Sequence, residues 1–532
     1  MPTKFITIPG FKGGLAASLF DPVEKQTYQS AKDLDVFMFD NLLRPTGKFV
    51  VPVYNPTTNN SKFKMVVTAS NDVTYFFGTN ASNQLLVYRG AGVESQNLTL
   101  VGTGAGVNTA HQERLWAAEL NGYLLFYSNT AFVGRIKLSD HTFAENPYSF
   151  SPVKPGPIFT HEGLQKIFIA GANEVYYFDS TTVGGSTSPT LGLTLDSKYN
   201  IKSLTSLGRF VLVGASVGGT TYSTSEFGES KIFVWDGVSS TVDDEIGISD
   251  MGLRAIRNVN GRIYVLSIAS PQGEYKKNAI RIYGWSGGGG VELLKELPLN
   301  NTNTFSSAPD GLIIRDTAVD VRNGKLFFIP SAYEDGNSNG GVGIPQVVYA
   351  FGEAPGYKPF LTPYKAIPNL ASDEVVYFLR FNKSSLVVAH TLFYWTTFYI
   401  HHDLTTDFSD AGVYESNAIA LNGGLPATLK KIYINHKPIP TNCGFTVAVK
   451  YYGHYPFDGT VPSEDSYTDL TTSQGSGSTT GKTQSTDNAT YTEIPIVNPK
   501  KARYAQIKIS FDEVSGTNAP EIVFPILLEV EI

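Results

Sequence analysis

The chain carries one cysteine, Cys443, so no disulfide can form within it and burial and hydrogen bonding must hold the fold. Charged residues make up only 17% of it, and the net charge of −7 excludes a broadly cationic coat for nucleic acid or anionic lipid. No segment approaches the ~20 consecutive apolar residues that a membrane helix needs. Met1-Pro2-Thr3-Lys4 leads into no apolar leader core, so synthesis in a reducing cytosol is expected. The sequons Asn80-Ala81-Ser82 and Asn97-Leu98-Thr99 are then expected to carry no glycan.

Aromatic residues are plentiful instead: 29 Tyr and 33 Phe, 12% aromatic with Trp included, which favours pleated sheets where flat side chains pack well. The 51 Gly and 29 Pro supply the turns that many short strands require. At 532 residues, two or more cores are expected.

A pair of strands recurs along the chain. Its first member is a turn followed by an apolar run, seen at Asn121-Gly122-Tyr123-Leu124-Leu125-Phe126, Leu207-Gly208-Arg209-Phe210-Val211, Asn260-Gly261-Arg262-Ile263-Tyr264-Val265 and Asn323-Gly324-Lys325-Leu326-Phe327-Phe328. Weaker copies begin at Asn71, Gly163 and Asn382. Asn-Gly favours a type I′ hairpin, whose two central residues both need positive φ. The second member ends in an aromatic before a turn, as in Val175-Tyr176-Tyr177-Phe178, Lys231-Ile232-Phe233-Val234-Trp235 and Ile280-Arg281-Ile282-Tyr283-Gly284-Trp285. Seven such units, spaced by roughly 40 to 60 residues, match the length of four-stranded propeller blades. Closing the ring removes exposed sheet edges, and Lys48 to Tyr54 is expected to complete the seventh blade, the one that contains Leu386 to His390. The reading is all-β: an N-terminal arm at 1–46 with a short helix near Ser30 to Phe39, a propeller of about seven blades at 47–417, and a C-terminal antiparallel β-sandwich at 418–532. Ser/Thr/Gly-rich Thr468 to Thr490 is expected to be a long exposed loop or hairpin tip of that last part.

Motifs that carry chemistry are incomplete. Gly214-Ala215-Ser216-Val217-Gly218 matches a nucleophile elbow, but Gly219-Thr220-Thr221-Tyr222 starts no helix. Gly102-Thr103-Gly104-Ala105-Gly106 lacks the ending of a phosphate loop and reads as a turn between blades. His401-His402-Asp403 offers metal-type ligands, yet strand neighbours point to opposite faces, placing one histidine at the core edge and the other in solvent. Asp335-Gly336-Asn337-Ser338-Asn339-Gly340 begins like a calcium loop but ends at Gln346 instead of a bidentate Glu. Asp243-Asp244-Glu245 reads as a solvated loop. Tyr451, Tyr452, Tyr455 and Phe457 could stack on sugars or pack as strand core. No catalytic, cofactor or metal residue is assigned, and the chain is expected not to be an enzyme.

Gly10-Phe11-Lys12-Gly13-Gly14-Leu15 through Asp40-Asn41-Leu42-Leu43-Arg44-Pro45 resembles the N-terminal arms of propeller-bearing structural proteins of tailed bacteriophages. Ala502-Arg503-Tyr504-Ala505-Gln506-Ile507-Lys508-Ile509, with Ala519-Pro520-Glu521-Ile522, is similar to the end of the same proteins. The resemblance implies a virion component, tail nozzle-like or hub-like, assembling in a ring around the DNA conduit. The partners it implies are other copies of the chain, a portal, adaptor or other tail protein, and passing genomic DNA, with synthesis in the bacterial host cytoplasm. A carbohydrate- or receptor-binding propeller is the alternative, and a propeller glycoside hydrolase or lyase a third reading.

Overall fold

The computed structural model describes the chain outside residues 1, 17–18, 38–40, 51–61, 81–83, 96, 107–115, 128–132, 151–155, 218–228, 251, 270–278, 299–313, 331–346, 355–356, 369–374, 384, 392–397, 441–442, 455–466, 470–489, 497–498 and 514–516. Seven four-stranded sheets follow one another. Blade 1 runs through Lys62–Thr68, Thr74–Thr79, Gln84–Gly90 and Thr99–Gly106, and blade 2 through Trp116–Leu120, Tyr123–Tyr127, Val133–Lys137 and Thr142–Ala144. Blade 3 comprises Ile158–His161, Lys166–Gly171, Glu174–Asp179 and Thr190–Thr194; blade 4, Tyr199–Leu207, Phe210–Val217, Ser230–Trp235 and Asp244–Ile248. Blade 5 comprises Leu253–Val259, Arg262–Ala269, Ala279–Trp285 and Glu292–Pro298; blade 6, Val319–Arg322, Lys325–Phe328, Val347–Gly352 and Phe360–Ala366. Blade 7 takes Val375–Asn382, Ser385–Thr391 and Phe398–Phe408 from its own stretch. Its fourth strand, Gly47–Val50, comes from far upstream, as the closure argument expects. Residues 51–54 of that expected strand lie outside the described ones. The molecule contains a seven-bladed β-propeller.

Local sequence explains this regularity. The recurring apolar run is the second strand of each blade, and the turn before it joins the first and second strands. That turn carries positive φ in every blade: Asp72 at 63°, Asn121 and Gly122 at 49° and 76°, Gln165 at 51°, Gly208 at 59°, Asn260 and Gly261 at 52° and 85°, Asn323 and Gly324 at 49° and 71°, Lys383 at 54°. Second and third strands are covered on both faces, which is why Thr74–Thr79 and Val347–Gly352 are buried along their whole length and read as unbroken apolar runs.

The glycine-rich segment of blade 1 is not a turn between blades. Thr99–Gly106 is the fourth strand of that sheet, with register shifts between Leu100 and Gly102 and between Thr103 and Gly106. A Cβ at Gly102 would lie 2.3 Å from the Phe143 ring, so the glycine is there to let that ring approach the backbone. Asp244 and Glu245 of the acidic run likewise begin a strand, and Glu245 pairs with Lys231 at 2.9 Å.

The C-terminal residues form a separate sheet of thirteen strands. Its central strands are Gly412–Ser416, Ala427–His436, Gly444–His454, Lys501–Glu513 and Ile522–Glu531. The expected sandwich is a single hydrogen-bonded sheet curled into a half-barrel, because long bulged strands such as Ala427–His436 change partners along their length. Alternate residues of Ile522–Glu531 turn inward, so that Ile522, Ile526, Leu528 and Val530 are fully buried with Ile432, Ile434, Ile507 and Ile509.

Every described strand before Gly47 belongs to this sheet. Thr3–Ile8 pairs along Ile526–Glu531, Thr27–Lys32 pairs with Gly412–Ser416, and Leu42–Pro45 pairs with Ile522 and Val523. Among the described residues the expected helix near Ser30 to Phe39 is absent: Thr27–Lys32 and Leu34–Asp35 are strands. Tyr28, Ala31 and Leu34 are fully buried there, and the sheet edge supplies backbone partners that a short isolated helix would have to find within itself.

By the density of internal packing the chain separates into two compact units. One is Met1–Phe49, Val347–Ala366 and Asp403–Ile532; the other is Val50–Gln346 and Ile367–His402. Within the first, Lys365 is buried, its Nζ 3.7 Å from Asp403 and 4.3 Å from the Phe49 ring, and it donates to the Gly47 carbonyl. Asp33 accepts from the Ala366 amide at 3.1 Å, and burial pushes its carboxyl up to about 6.

Two glycines with different duties should respond differently to a methyl group. Gly261 has open space around its Cβ position and a φ of 85°, so Gly261→Ala is expected to cost only the left-handed strain, about 1 kcal/mol. Gly102→Ala must displace Phe143 and is expected to cost about 2–3 kcal/mol. Urea unfolding of both variants measures the two costs; a larger loss for Gly261→Ala would contradict this account of the glycines.

Candidate functional site

The first strands of all seven blades converge on a central cavity of about 290 Å³. Its lining includes Met65, Trp116, Phe159, Leu204, Arg257, Asp320, Phe378 and Arg380, with Asp316 from the turn before blade 6. Among these apolar residues stand charged ones, Arg257, Asp316, Asp320 and Arg380, which the blades' apolar runs do not share.

Asp316 organises the hub. Its carboxylate accepts from Arg257 Nη1 at 2.7 Å, Ser203 Oγ at 2.6 Å and Trp116 Nε1 at 3.3 Å, drawing together blades 2, 4 and 5. Arg257 is saturated in turn. Its Nε donates to Val319 O at 3.2 Å, Nη1 also to Ile256 O and Ser203 Oγ, and Nη2 to the Asp316 and Val319 carbonyls at 2.6 and 3.0 Å. A guanidinium can fill so many acceptors at once because its five donors are held in one plane.

Other side chains brace neighbouring blades. Asn382 accepts from Thr68 N at 2.9 Å and donates to Val66 O at 3.2 Å, tying blade 7 to blade 1. Asp320 Oδ2 accepts from Phe381 N at 2.7 Å, tying blade 6 to blade 7. Asn258 donates to Ser206 O and Thr160 to Glu119 O.

Four first strands carry a bulge at the same place. The register skips Lys64, Lys202, Arg254 and Tyr377 in blades 1, 4, 5 and 7. Bulged residues are re-aimed out of the ladder, which lets the three long cations among them, Lys64, Lys202 and Arg254, stay buried on otherwise apolar strands. Lys64 Nζ and the buried Arg315 guanidinium lie 5.6 and 5.4 Å from the Tyr377 ring. Sequence reasoning missed this ring of hub residues. The available signal was the repeated apolar-basic-apolar or small triplet Phe63-Lys64-Met65, Ile201-Lys202-Ser203 and Leu253-Arg254-Ala255.

No protein-family model matches the chain, and the search among curated proteins gave no match. Solved structures share its general form at low similarity. The Dos1 propeller is 13% identical at a TM-score of 0.39, covering 72% of this chain and 94% of that one. BamB from Moraxella catarrhalis is 10% identical at 0.36, covering 76% and 98%, and YCF48 bound to a D1 peptide is 9% identical at 0.42, covering 70% and 98%. Likeness at this level carries no function across.

The residues singled out in the sequence are scattered. Ser216 lies within the second strand of blade 4, not at an elbow; it is buried and shares a 3.0 Å hydrogen bond with Ser230. Gly218 and residues 219–222 lie outside the described residues, as do the Asp335 to Gly340 loop, Gln346, Tyr455 and Phe457. Tyr451 is buried, and Tyr452 donates to Gln506 Oε1 at 2.7 Å. Among the described residues, no three His, Cys, Asp or Glu side chains gather to hold a metal.

The two histidines of blade 7 are both buried, correcting the expectation that one faces solvent. Their strand is the third of its blade and is covered on both faces. His401 stacks on buried His390 with ring centroids 4.9 Å apart and planes 10° apart. Burial, with His390 and His402 alongside, pushes His401 down from 6.5 to about 3.

Replacing Asp316 by Ala should cost about 3–5 kcal/mol, since Arg257 would be left with its charge uncompensated in the hub. Chemical unfolding measures it; a loss below about 1 kcal/mol would show that the hub does not depend on this carboxylate. His401 predicts a pH effect. Its pKa is depressed by folding, so the unfolded chain binds the proton first, and stability is lost as pH falls from 6.5 toward about 3. His401→Phe removes this linkage and should flatten the loss between pH 6.5 and 4 by roughly 3 kcal/mol. Unfolding curves of both proteins across that range test it, and parallel curves would refute it.

Proposed function

We propose that the chain is a structural subunit of a tailed-bacteriophage virion, placed in the tail as a nozzle-like or hub-like component, and not an enzyme. One observation supports this above others. The two segments that carry the resemblance lie at opposite ends of the sequence, yet they are built into one sheet. Leu42–Pro45 pairs with Ile522 and Val523, and Arg44 lies 3.7 Å from Glu521. Phe11 meets Phe524 edge-on at 5.0 Å, and buried Lys12 donates to Val36 O at 2.8 Å. Gly13 sits so tightly that a Cβ would approach the Lys25 carbonyl oxygen to 2.1 Å. The motifs are therefore parts of one packed module, as expected if the family resemblance reflects a shared architecture.

A second observation fits an assembly role. Phe20 is 52% exposed on the same unit, with its ring against Tyr504 at 5.0 Å and Tyr452 at 6.1 Å. Exposed aromatics of this kind anchor protein interfaces. In this reading neighbouring subunits and a portal or adaptor protein meet the chain at such surfaces, and genomic DNA passes through the assembled ring.

The test is to ask whether the protein belongs to particles. Quantitative mass spectrometry of purified virions should find it at a fixed ratio to the other tail proteins, and an antibody should label the tail by electron microscopy. Complementation with Phe20→Glu should lower its occupancy in particles at least about tenfold while the purified subunit stays folded. A protein absent from purified particles would remove the proposal.

A further inference from the structure

We infer that the central cavity of the propeller is a binding site for a small zwitterion, an α-amino acid with an apolar side chain. This goes beyond the assembly role and does not rest on it. Arg257 and Asp316 neutralise each other, and every nitrogen of that guanidinium donates to an oxygen. Arg380 and Asp320 are different. Among the described residues, the Arg380 guanidinium makes one hydrogen bond, a long one of 3.4 Å from Nη1 to Ala117 O. Asp320 accepts one backbone amide on each oxygen, from Val321 at 2.8 Å and Phe381 at 2.7 Å. A carboxylate has lone pairs for about four such bonds, so roughly half its capacity remains. These two groups line the same cavity and are not paired to each other.

An open guanidinium fork beside an open carboxylate selects a ligand that brings both opposite charges. Arg380 would take a carboxylate in a planar, two-point grip, and Asp320 an ammonium. A ligand with one charge would satisfy one group and leave the other beside a like or uncompensated charge, which disfavours it. The uncharged lining, in which Thr205 and Thr317 are the polar members, favours an apolar side chain. Met65, Phe159, Leu204 and Phe378 are apolar, and Trp116 has its N–H already committed to Asp316. The volume of about 290 Å³ lies at the small end of ligand pockets, suiting a single amino acid better than a nucleotide or an oligosaccharide.

The test is calorimetric titration of the full-length protein with leucine, methionine and phenylalanine. Two further probes are leucine without its amine, 4-methylpentanoate, and leucine without its carboxylate, 3-methylbutylamine. At least one amino acid should saturate one site per chain, and both leucine analogues should bind at least about tenfold more weakly than leucine. Arg380→Gln should weaken binding at least about tenfold with the melting temperature little changed, and Asp320→Asn should weaken it as much while also lowering the melting temperature, because one of the two backbone amides it receives loses its acceptor. Arg380→Lys keeps the charge but not the fork and should fall between wild type and Arg380→Gln. Absence of saturation for all three amino acids up to about 10 mM would overturn the inference. So would equal affinity for 4-methylpentanoate, or unchanged binding by a folded Arg380→Gln.

Discussion

A carboxylate at the hub holds together elements that the chain delivers far apart. A propeller's blades are each complete as hydrogen-bonded sheets, so the ladder itself gives them no reason to stay in a ring. What joins them is side-chain chemistry at the first strands and apolar packing between faces. Asp316 collects donors from blades 2, 4 and 5, and Arg257, fixed by it, reaches the backbone of blade 6. In this partly desolvated place each bond is stronger than in water, and each unmade bond more costly. The apolar contribution is distributed differently. Phe168, Trp235, Leu204 and Val213 of blades 3 and 4 form one cluster, and Phe77, Phe126 and Tyr377 of blades 1, 2 and 7 belong to another. Packing stabilises the joints between neighbours, whereas the polar knot also reaches from blades 4, 5 and 6 to Trp116 of blade 2.

The same economy explains where polarity is tolerated. Along the second and third strands a charged side chain would be buried between two blades with few partners. At the hub, neighbouring backbones present carbonyls and amides at the edge of a cavity, so Arg257, Asp320 and Asn382 find bonds without leaving the strand. Bulges extend this by turning Lys64, Lys202 and Arg254 out of the regular ladder. The cavity is thus a by-product of closure that carries polar groups for structural reasons, and among the described residues Arg380 and Asp320 keep bonding capacity that closure leaves unused.

The N-terminal residues show a related principle. Thr3–Ile8, Thr27–Lys32 and Leu42–Pro45 are short and would be marginal strands alone. They become ordered by adding to edges of a sheet made from the last part of the chain, and in doing so they cover residues that would otherwise face water. The next strand, Gly47–Val50, closes the propeller's seventh sheet. One end of the chain therefore serves both modules, which gives the sequence motifs at its two ends a common structural purpose.

Much of the propeller was legible because its signals are local. Asn121-Gly122, Asn260-Gly261 and Asn323-Gly324 specify tight turns through backbone sterics alone, and runs such as Phe210 to Val213 need no partner to be recognised as buried strands. Closure by Lys48 to Val50 could be inferred because a lone strand beside an incomplete ring has one economical place to go. The hub was not legible. Trp116, Ser203, Arg257 and Asp316 lie in four separate stretches, and nothing in their spacing announces that they meet. The helix expected near Ser30 to Phe39 and the turn expected at Gly102 failed for the same reason: a sheet edge and the Phe143 ring, distant in sequence, decided them. The sequence by itself determined the blades, since turn chemistry and apolar runs act within a few residues. Only the tertiary structure decided the cavity, its charges and the union of the two chain ends, because those depend on groups brought together by closure.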